Sequence, residues 1–246
     1  MTSEITRKYL LLNRMPWPNF DGYGSRRTFL QMGLAAVLLA PGSSCPASSA
    51  ETETSPKKII AFGDSLTAGL GLPSDVAFPA VLEKALRTEG YNVTIVNAGV
   101  SGETASGGLA RLDWTIGDGA DGVILELGAN DMLRGINPEV TEAALDAILA
   151  KLKSRKIKVM IAGMKATPSL GPEYKARFDA IYPALAKKYD APLYPFLLDG
   201  VAGVPALKQN DGLHPNSVGV AHIVKGIMPT VRAFLDQLGT KAARQE

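Results

Sequence analysis

Ile59-Ile60-Ala61-Phe62-Gly63-Asp64-Ser65-Leu66-Thr67 is a short apolar run that stops on a glycine, a carboxylate and a hydroxyl. Four apolar residues in a row, without polar alternation, read as a strand covered on both faces. A strand of that kind delivers Ser65 to the C-terminal edge of a sheet. Near the other end of the chain stands Asp211-Gly212-Leu213-His214-Pro215. An Asp three residues before a His can hold the imidazole in one tautomer. Ser65, His214 and Asp211 then supply a nucleophile, a general base and its orienter, the parts of an acyl-transfer triad.

The same strand signal recurs at Val93–Asn97, Gly122–Leu127, Lys158–Ala162 and Pro192–Tyr194, after a first strand at Lys58–Phe62. Between these lie helical patterns. Phe78–Thr88 stops before Gly90, and Leu109–Ile116 stops before Gly117. Glu139–Ser154 follows Pro138, which suits a first helical turn. Pro172–Tyr189 places Phe178, Ile181, Leu185 and Tyr189 on one face, and Val218–Leu238 closes the chain with a bend expected near Pro229. Alternation of strand and helix predicts an α/β fold with a parallel sheet of about five strands between helical layers. In such sheets ligands bind beyond the strands' C-terminal ends.

Residues 1–50 read as a leader and 51–246 as one domain. Ser25-Arg26-Arg27-Thr28-Phe29-Leu30-Gln31 resembles a twin-arginine export motif. The apolar stretch Met32–Ala40 is far short of the roughly 20 residues that span a bilayer, and suits a signal h-region with cleavage after Ser48-Ser49-Ala50. The expected location is periplasmic or secreted, with no stable membrane span after processing. The leader holds five Lys and Arg against two Asp and Glu, so the remaining 196 residues keep 21 of the 26 basic and 22 of the 24 acidic side chains. That balance argues against a nucleic-acid surface. Cys45, the one cysteine, lies in the leader, and Gly42-Ser43-Ser44-Cys45 lacks the aliphatic residue of a lipoprotein cleavage site.

Three strand ends carry small polar motifs: Gly63-Asp64-Ser65, Asn97 through Thr104, and Gly128-Ala129-Asn130-Asp131. In a parallel sheet these converge on one rim. Gly102 can present a backbone N–H there, and the Asn130 amide can donate to a developing oxyanion. Each piece alone has a plainer reading. Ser65 equally reads as an N-cap, Gly102 as a turn glycine, and Asn130 as a cap or turn residue. Asp64 and Asp131 read as structural, bonding loop N–H groups, and His222 as a residue of the last helix. Other functions fit less well. The first loop has neither G-x-G-x-x-G nor a P-loop Lys, so a nucleotide binder is disfavoured. His214 and His222 with Asp211 make a poor metal set, and there is no G-x-S-x-G elbow of an α/β-hydrolase.

Gly63-Asp64-Ser65-Leu66, Asn97 through Thr104, Glu126-Leu127-Gly128-Ala129-Asn130-Asp131 and Asp211 through Pro215 occur in the order of the four blocks of the SGNH (GDSL-type) hydrolases. The chain resembles that family from about Lys58 to Leu238, above all its bacterial acyl-ester hydrolases of thioesterase, arylesterase and lysophospholipase type. Leu109-Ala110-Arg111-Leu112, Leu133-Arg134-Gly135 and Ala180-Ile181-Tyr182-Pro183 share in the likeness. The resemblance implies a flavodoxin-like three-layer α/β/α sandwich, Ser65 as nucleophile, and Asp211 and His214 as orienter and base. It also implies an oxyanion hole of Ser65, Gly102 and Asn130, and no metal or other cofactor. Ala129 departs from the glycine common in close relatives.

The expected partner is a small-molecule ester, bound by a monomer. Leu66, Met132, Leu133, Met164 and Leu213 are the expected substrate-binding side chains, with Leu170 and Leu207 nearby in apolar loops. These favour aryl or acyl chains over sugar acetates, the alternatives being a carbohydrate O-acetylesterase and an inactive binding module. The leader reading makes one testable statement. Replacing Arg26 and Arg27 by Lys leaves a cytoplasmic precursor, whereas the exported wild type begins near Glu51 on N-terminal sequencing. An exported protein that retains residues 1–40 contradicts it.

Overall fold

Gly122-Val-Ile-Leu-Glu126 is buried at every position and forms β3, the middle strand of the sheet. The structure, a computed structural model, describes residues 55–240, so residues 1–54, with the expected leader at 1–50, and residues 241–246 lie outside it. The strands are β1 (Lys57–Gly63), β2 (Val93–Gly99), β3, β4 (Lys158–Ala162) and β5 (Leu193–Tyr194). All pair in parallel in the order β2-β1-β3-β4-β5. This is the flavodoxin-like order, and its switch point, where connections leave in opposite directions, lies between β1 and β3. Register puts Gly63 beside Gly99 on one side and beside Glu126 on the other. Three strand ends therefore stop level with one another.

The helices are α1 (Ser65–Ala68), α2 (Phe78–Thr88), α3 (Ala105–Thr115), α4 (Ala129–Leu133), α5 (Pro138–Ser154), α6 (Pro172–Tyr189) and α7 (Ser217–Gln237). α2 packs on α7, while α3, α5 and α6 pack in a row, giving the two helical layers of an α/β/α sandwich. The expected strands and long helices are present, with ends shifted by a residue or two. α3 differs more, beginning at Ala105 rather than Leu109. Thr104 caps it by accepting from the Gly107 N–H, and buried Asp131 accepts from the Ala105 N–H at 2.8 Å. Gly107-Gly108 reads locally as a helix breaker, but a Cβ on Gly108 would sit 2.4 Å from Leu127 Cδ1. The missing side chain lets α3 lie close on β3, and packing overrides propensity. The short helices α1 and α4, absent from the sequence reading, each start directly after a strand that ends at the switch point.

α7 is long and apolar enough to cross a bilayer by composition. It instead turns Val220, Ile223, Val224, Ile227, Val231 and Phe234 into the core. It runs through Pro229 as one helix. β2 is an edge strand, and α2 guards it. Glu83 Oε2 accepts from the Ile95 N–H at 2.6 Å, and Arg87 Nε donates to the Val93 carbonyl at 2.8 Å.

The turn between β3 and α4 is the tightest fit. Gly128 has φ +116°, and a Cβ there would fall 2.1 Å from the Tyr182 hydroxyl, which is buried and donates to the Leu127 carbonyl at 2.9 Å. Gly128→Ala is expected to lower stability by about 1–3 kcal/mol, the usual cost of a strained left-handed residue. A urea midpoint unchanged from wild type would show that the turn has slack.

Candidate active site

Asp64 opens the α1 turn. Its Oδ1 accepts from the Leu66 N–H at 2.9 Å, which bends the chain out of β1 and sets Ser65 at the first helical position. Ser65 is nearly buried, and its Oγ lies 2.8 Å from His214 Nε2. His214 Nδ1 lies 2.6 Å from Asp211 Oδ2. The other Asp211 oxygen accepts from the Leu213 and His214 N–H groups at 2.9 and 3.0 Å. Asp211 thus shapes its own turn and fixes the tautomer, leaving Nε2 to accept the Ser65 hydroxyl.

Gln209 closes this loop onto the rest of the site. Its Nε2 donates to the Leu70 carbonyl at 2.7 Å and the Pro215 carbonyl at 3.0 Å, joining the histidine loop to the segment after α1. A Cβ on Gly71 would meet the Gln209 amide oxygen at 2.2 Å. Asn216 caps α7 through the Gly219 N–H and donates to the Ala206 and Lys208 carbonyls. Neither Gln209 nor Asn216 stands out in the sequence, because their roles depend on partners brought by the fold.

The proposed oxyanion donors come from neighbouring strand ends. Asn130, in α4, donates from Nδ2 to Asp64 Oδ2 at 3.0 Å. Gly102 has φ +81°, and its carbonyl accepts from Arg134 Nη2 at 2.7 Å. Arg134 ends α4, so it ties the Gly102 loop to the helix that carries Asn130. Arg111 is buried from α3, stacks over Phe62 at 4.0 Å, donates to the Gly63 carbonyl at 3.0 Å and pairs with Glu103. Arg111 and Arg134 have no role that the sequence alone shows.

The residues expected to bind substrate divide. Leu133 and Leu213 are exposed beside the site, and Met132 is partly buried. Leu66 and Met164 are largely buried and belong to the core cluster, at 7% and 3% exposure. The first turn of α1 directs Leu66 inward, and Met164 follows β4 into the core. Leu70 and Val100, not anticipated, add exposed apolar surface on the loops after α1 and β2. His222, on α7, packs against Gly200. A cavity of about 580 Å³ beside Pro79, Glu83, Arg87 and Ile95 lies away from Ser65 and against the guarded β2 edge.

Comparison with known proteins shows the family. The model of the GDSL-like lipase/acylhydrolase family matches residues 61–222. The chain belongs to that family. The esterase TesA of Pseudomonas aeruginosa is 36% identical over 178 residues, spanning 72% of this chain and 89% of that one. The thioesterase 1/protease 1/lysophospholipase L1 of Escherichia coli is 38% identical over 159 residues, 64% of this chain and 75% of its relative. Among solved structures, the SGNH-hydrolase family esterase AlinE4 is 45% identical with a TM-score of 0.63, covering 74% of this chain and 98% of that one. The fold is that of the SGNH hydrolases, and the chain is an enzyme of the esterase/acylhydrolase class.

The carboxylates of this hydrolase sit in opposite environments. The bond from His214 and the Leu213 and His214 N–H groups pull Asp211 down to about 2. Burial pushes Asp64 up from 3.8 to about 6, against the bonds from Leu66 and Asn130. Burial and the neighbouring Asp64 push Glu126, under the same turn, well above the ordinary glutamate value. Asp131 stays within a closed set, accepting from the Ala105 N–H and the Thr141 hydroxyl, and so bonds α3 and α5 as a structural residue.

A carboxyl whose folded pKa is raised holds its proton more tightly in the folded chain than in the unfolded one. Its stabilising contribution is therefore present below the unfolded value and is lost as pH rises through the folded one. For Asp64 that window runs from 3.8 to about 6. The stability difference between wild type and Asp64→Asn is expected to fall across this window and level off above it, measured as urea midpoints against pH. A difference that is flat through the window shows that Asp64 titrates normally.

Proposed function

We propose that this hydrolase is a serine esterase that cleaves aryl or acyl esters through a Ser65–His214–Asp211 triad and an acyl-enzyme. The observation that carries the reading is the unbroken hydrogen-bond chain from Ser65 Oγ through both ring nitrogens of His214 to Asp211, 2.8 and 2.6 Å long.

The chemistry follows from that chain. His214 Nε2 takes the Ser65 proton as Oγ attacks the ester carbonyl, and Asp211 stabilises the imidazolium that forms. The carbonyl oxygen gains charge beside three donors: the Ser65 N–H, the Gly102 N–H and Asn130 Nδ2. An amide nitrogen has two hydrogens, so Asn130 can keep its bond to Asp64 and aim the other at the oxyanion. His214 then protonates the leaving alcohol. Water then attacks the acyl carbonyl as His214 takes its proton, and His214 returns that proton to Ser65 Oγ as the acid leaves.

Exposed Leu70, Val100, Leu133 and Leu213 supply apolar surface on several loops around Ser65. That surface supports aryl or fatty acyl esters over a bare acetyl on a sugar. One relative's name includes thioesterase and lysophospholipase, so acyl thioesters and lysophospholipids belong in the substrate set. We also propose that residues 1–50 form an export leader, on the strength of the Arg26-Arg27 motif and the apolar stretch after it.

Ser65→Ala is expected to abolish hydrolysis of a nitrophenyl ester while leaving the circular dichroism spectrum unchanged. A phosphonate should label the wild type at Ser65 and nowhere else. Asn130→Ala should lower kcat by about 10²–10³, the usual effect of losing one oxyanion donor. Full activity in Ser65→Ala, or labelling of a different serine, overturns the assignment.

A further inference from the structure

Glu126 ends β3 directly beside Gly63 and is completely buried. Its Oε2 accepts from the Thr67 hydroxyl at 2.7 Å and from the Asp64 N–H at 3.2 Å. Its Oε1 is buried and has no hydrogen-bond partner. The fit is close, since a Cβ on Gly63 would lie 2.4 Å from Glu126 Oε2 and 2.2 Å from the Thr67 hydroxyl. The buried cation nearby, Arg111, is engaged by Glu103 and the Gly63 carbonyl. Neither step of the ester reaction uses Glu126.

An ionised carboxylate here would carry charge on an oxygen with no donor, next to a second carboxylate. A carboxylic acid removes the charge, and the unpaired hydroxyl it leaves at Oε1 costs far less to bury than an unpaired charge. Oε2 stays the acceptor for both donors, and Oε1 carries the proton. Neutrality also serves the chemistry, because a second negative charge under Ser65 would oppose the developing oxyanion. The groups held by Glu126 flank the nucleophile: Asp64 stands before Ser65 and Thr67 two residues after. Asp64 in turn accepts from Asn130 Nδ2 at 3.0 Å.

We propose that Glu126 is a positioning residue held as a neutral carboxylic acid, fixing the Asp64–Thr67 turn that presents Ser65 and, through Asp64, the direction of the Asn130 donor. This rests on the reading of Ser65 and Asn130 as nucleophile and oxyanion donor. Burial and the adjacent Asp64 both push the Glu126 proton affinity upward, in the same direction as the geometry. Gln has the shape and neutrality of a protonated Glu, and Leu has the volume without the acceptor.

The test combines a spectrum with kinetics. Infrared spectra are recorded at about pH 8, where Asp64, at about 6, is ionised. A protonated-carboxyl carbonyl band is expected in wild type and in Ser65→Ala, and is expected to vanish in Glu126→Gln. With a nitrophenyl acyl ester, Glu126→Leu should lower kcat about tenfold or more at little-changed KM, a misaligned donor costing less than a deleted one. Glu126→Gln should restore most of that loss. Absence of the band in wild type overturns the proposal. So does a Glu126→Gln enzyme with less than a tenth of wild-type kcat per folded molecule, or a folded Glu126→Leu enzyme with unchanged kcat. If Glu126→Leu does not fold, the band and Glu126→Gln decide. Activity surviving in Ser65→Ala would defeat the serine reading alone, and the band would still report the state of Glu126.

Discussion

Gly63 and Glu126 face each other across β1 and β3, and there is room between them for a hydrogen atom but not for a methyl group. This contact sits at the switch point of the sheet, where the connections part and the strand ends stand open. Because Gly63 has no side chain, the Glu126 carboxyl can reach under the turn and hold both Asp64 and Thr67. Ser65 is thereby placed on a short helix whose start is bonded from below. The loops that carry Gly102 and Asn130 are bonded to this turn or to one another, through Asp64, Arg111 and Arg134. Only His214 and Asp211 come from afar, and Gln209 is the tie that brings their loop to the Leu70 carbonyl.

Much of this fold is legible in the residues, and the reason is burial. β1, β3 and β4 are covered on both faces, so their sequences are continuous apolar runs that stand out from the helices around them. What stays hidden has a different cause in each case. α1 and α4 are too short to show a helical period. α3 starts earlier than its composition suggests, because the value of Gly108 lies in close approach to Leu127 and not in local conformation. At the site, Ser65, His214, Asp211 and Asn130 can be picked out as candidates because few side chains do what acyl transfer requires. Their supports cannot. Arg111, Arg134 and Gln209 act on backbone carbonyls, and a carbonyl has no letter in the sequence. Leu66 and Met164 adjoin the motifs in the chain and are buried in the fold, and adjacency in the chain does not say which way a side chain turns.

The acidic groups around Ser65 are sorted by exposure. Asp211 is open to solvent, accepts three hydrogen bonds and keeps its charge. Asp64 and Glu126 are buried and resist charge; Asp64 has a donor on each oxygen, whereas both donors to Glu126 reach Oε2. Divergent environments for similar groups are a physical mark of divided roles. One carboxylate here faces the imidazole, and the other two lie beneath Ser65.

The guarding of β2 by α2 bears on how this protein fails when it is heated or stressed. Glu83 and Arg87 occupy hydrogen-bonding positions that a foreign strand would need. The protection belongs to the helix and not to the strand, which holds Val93-Thr94-Ile95-Val96 with no proline or charge of its own. As long as α2 is folded, the edge is closed to other chains. Fraying of α2 alone, with the sheet still intact, would uncover a β-prone segment ready to pair with its copy. Aggregation of this enzyme would then track the opening of one helix and would precede global unfolding.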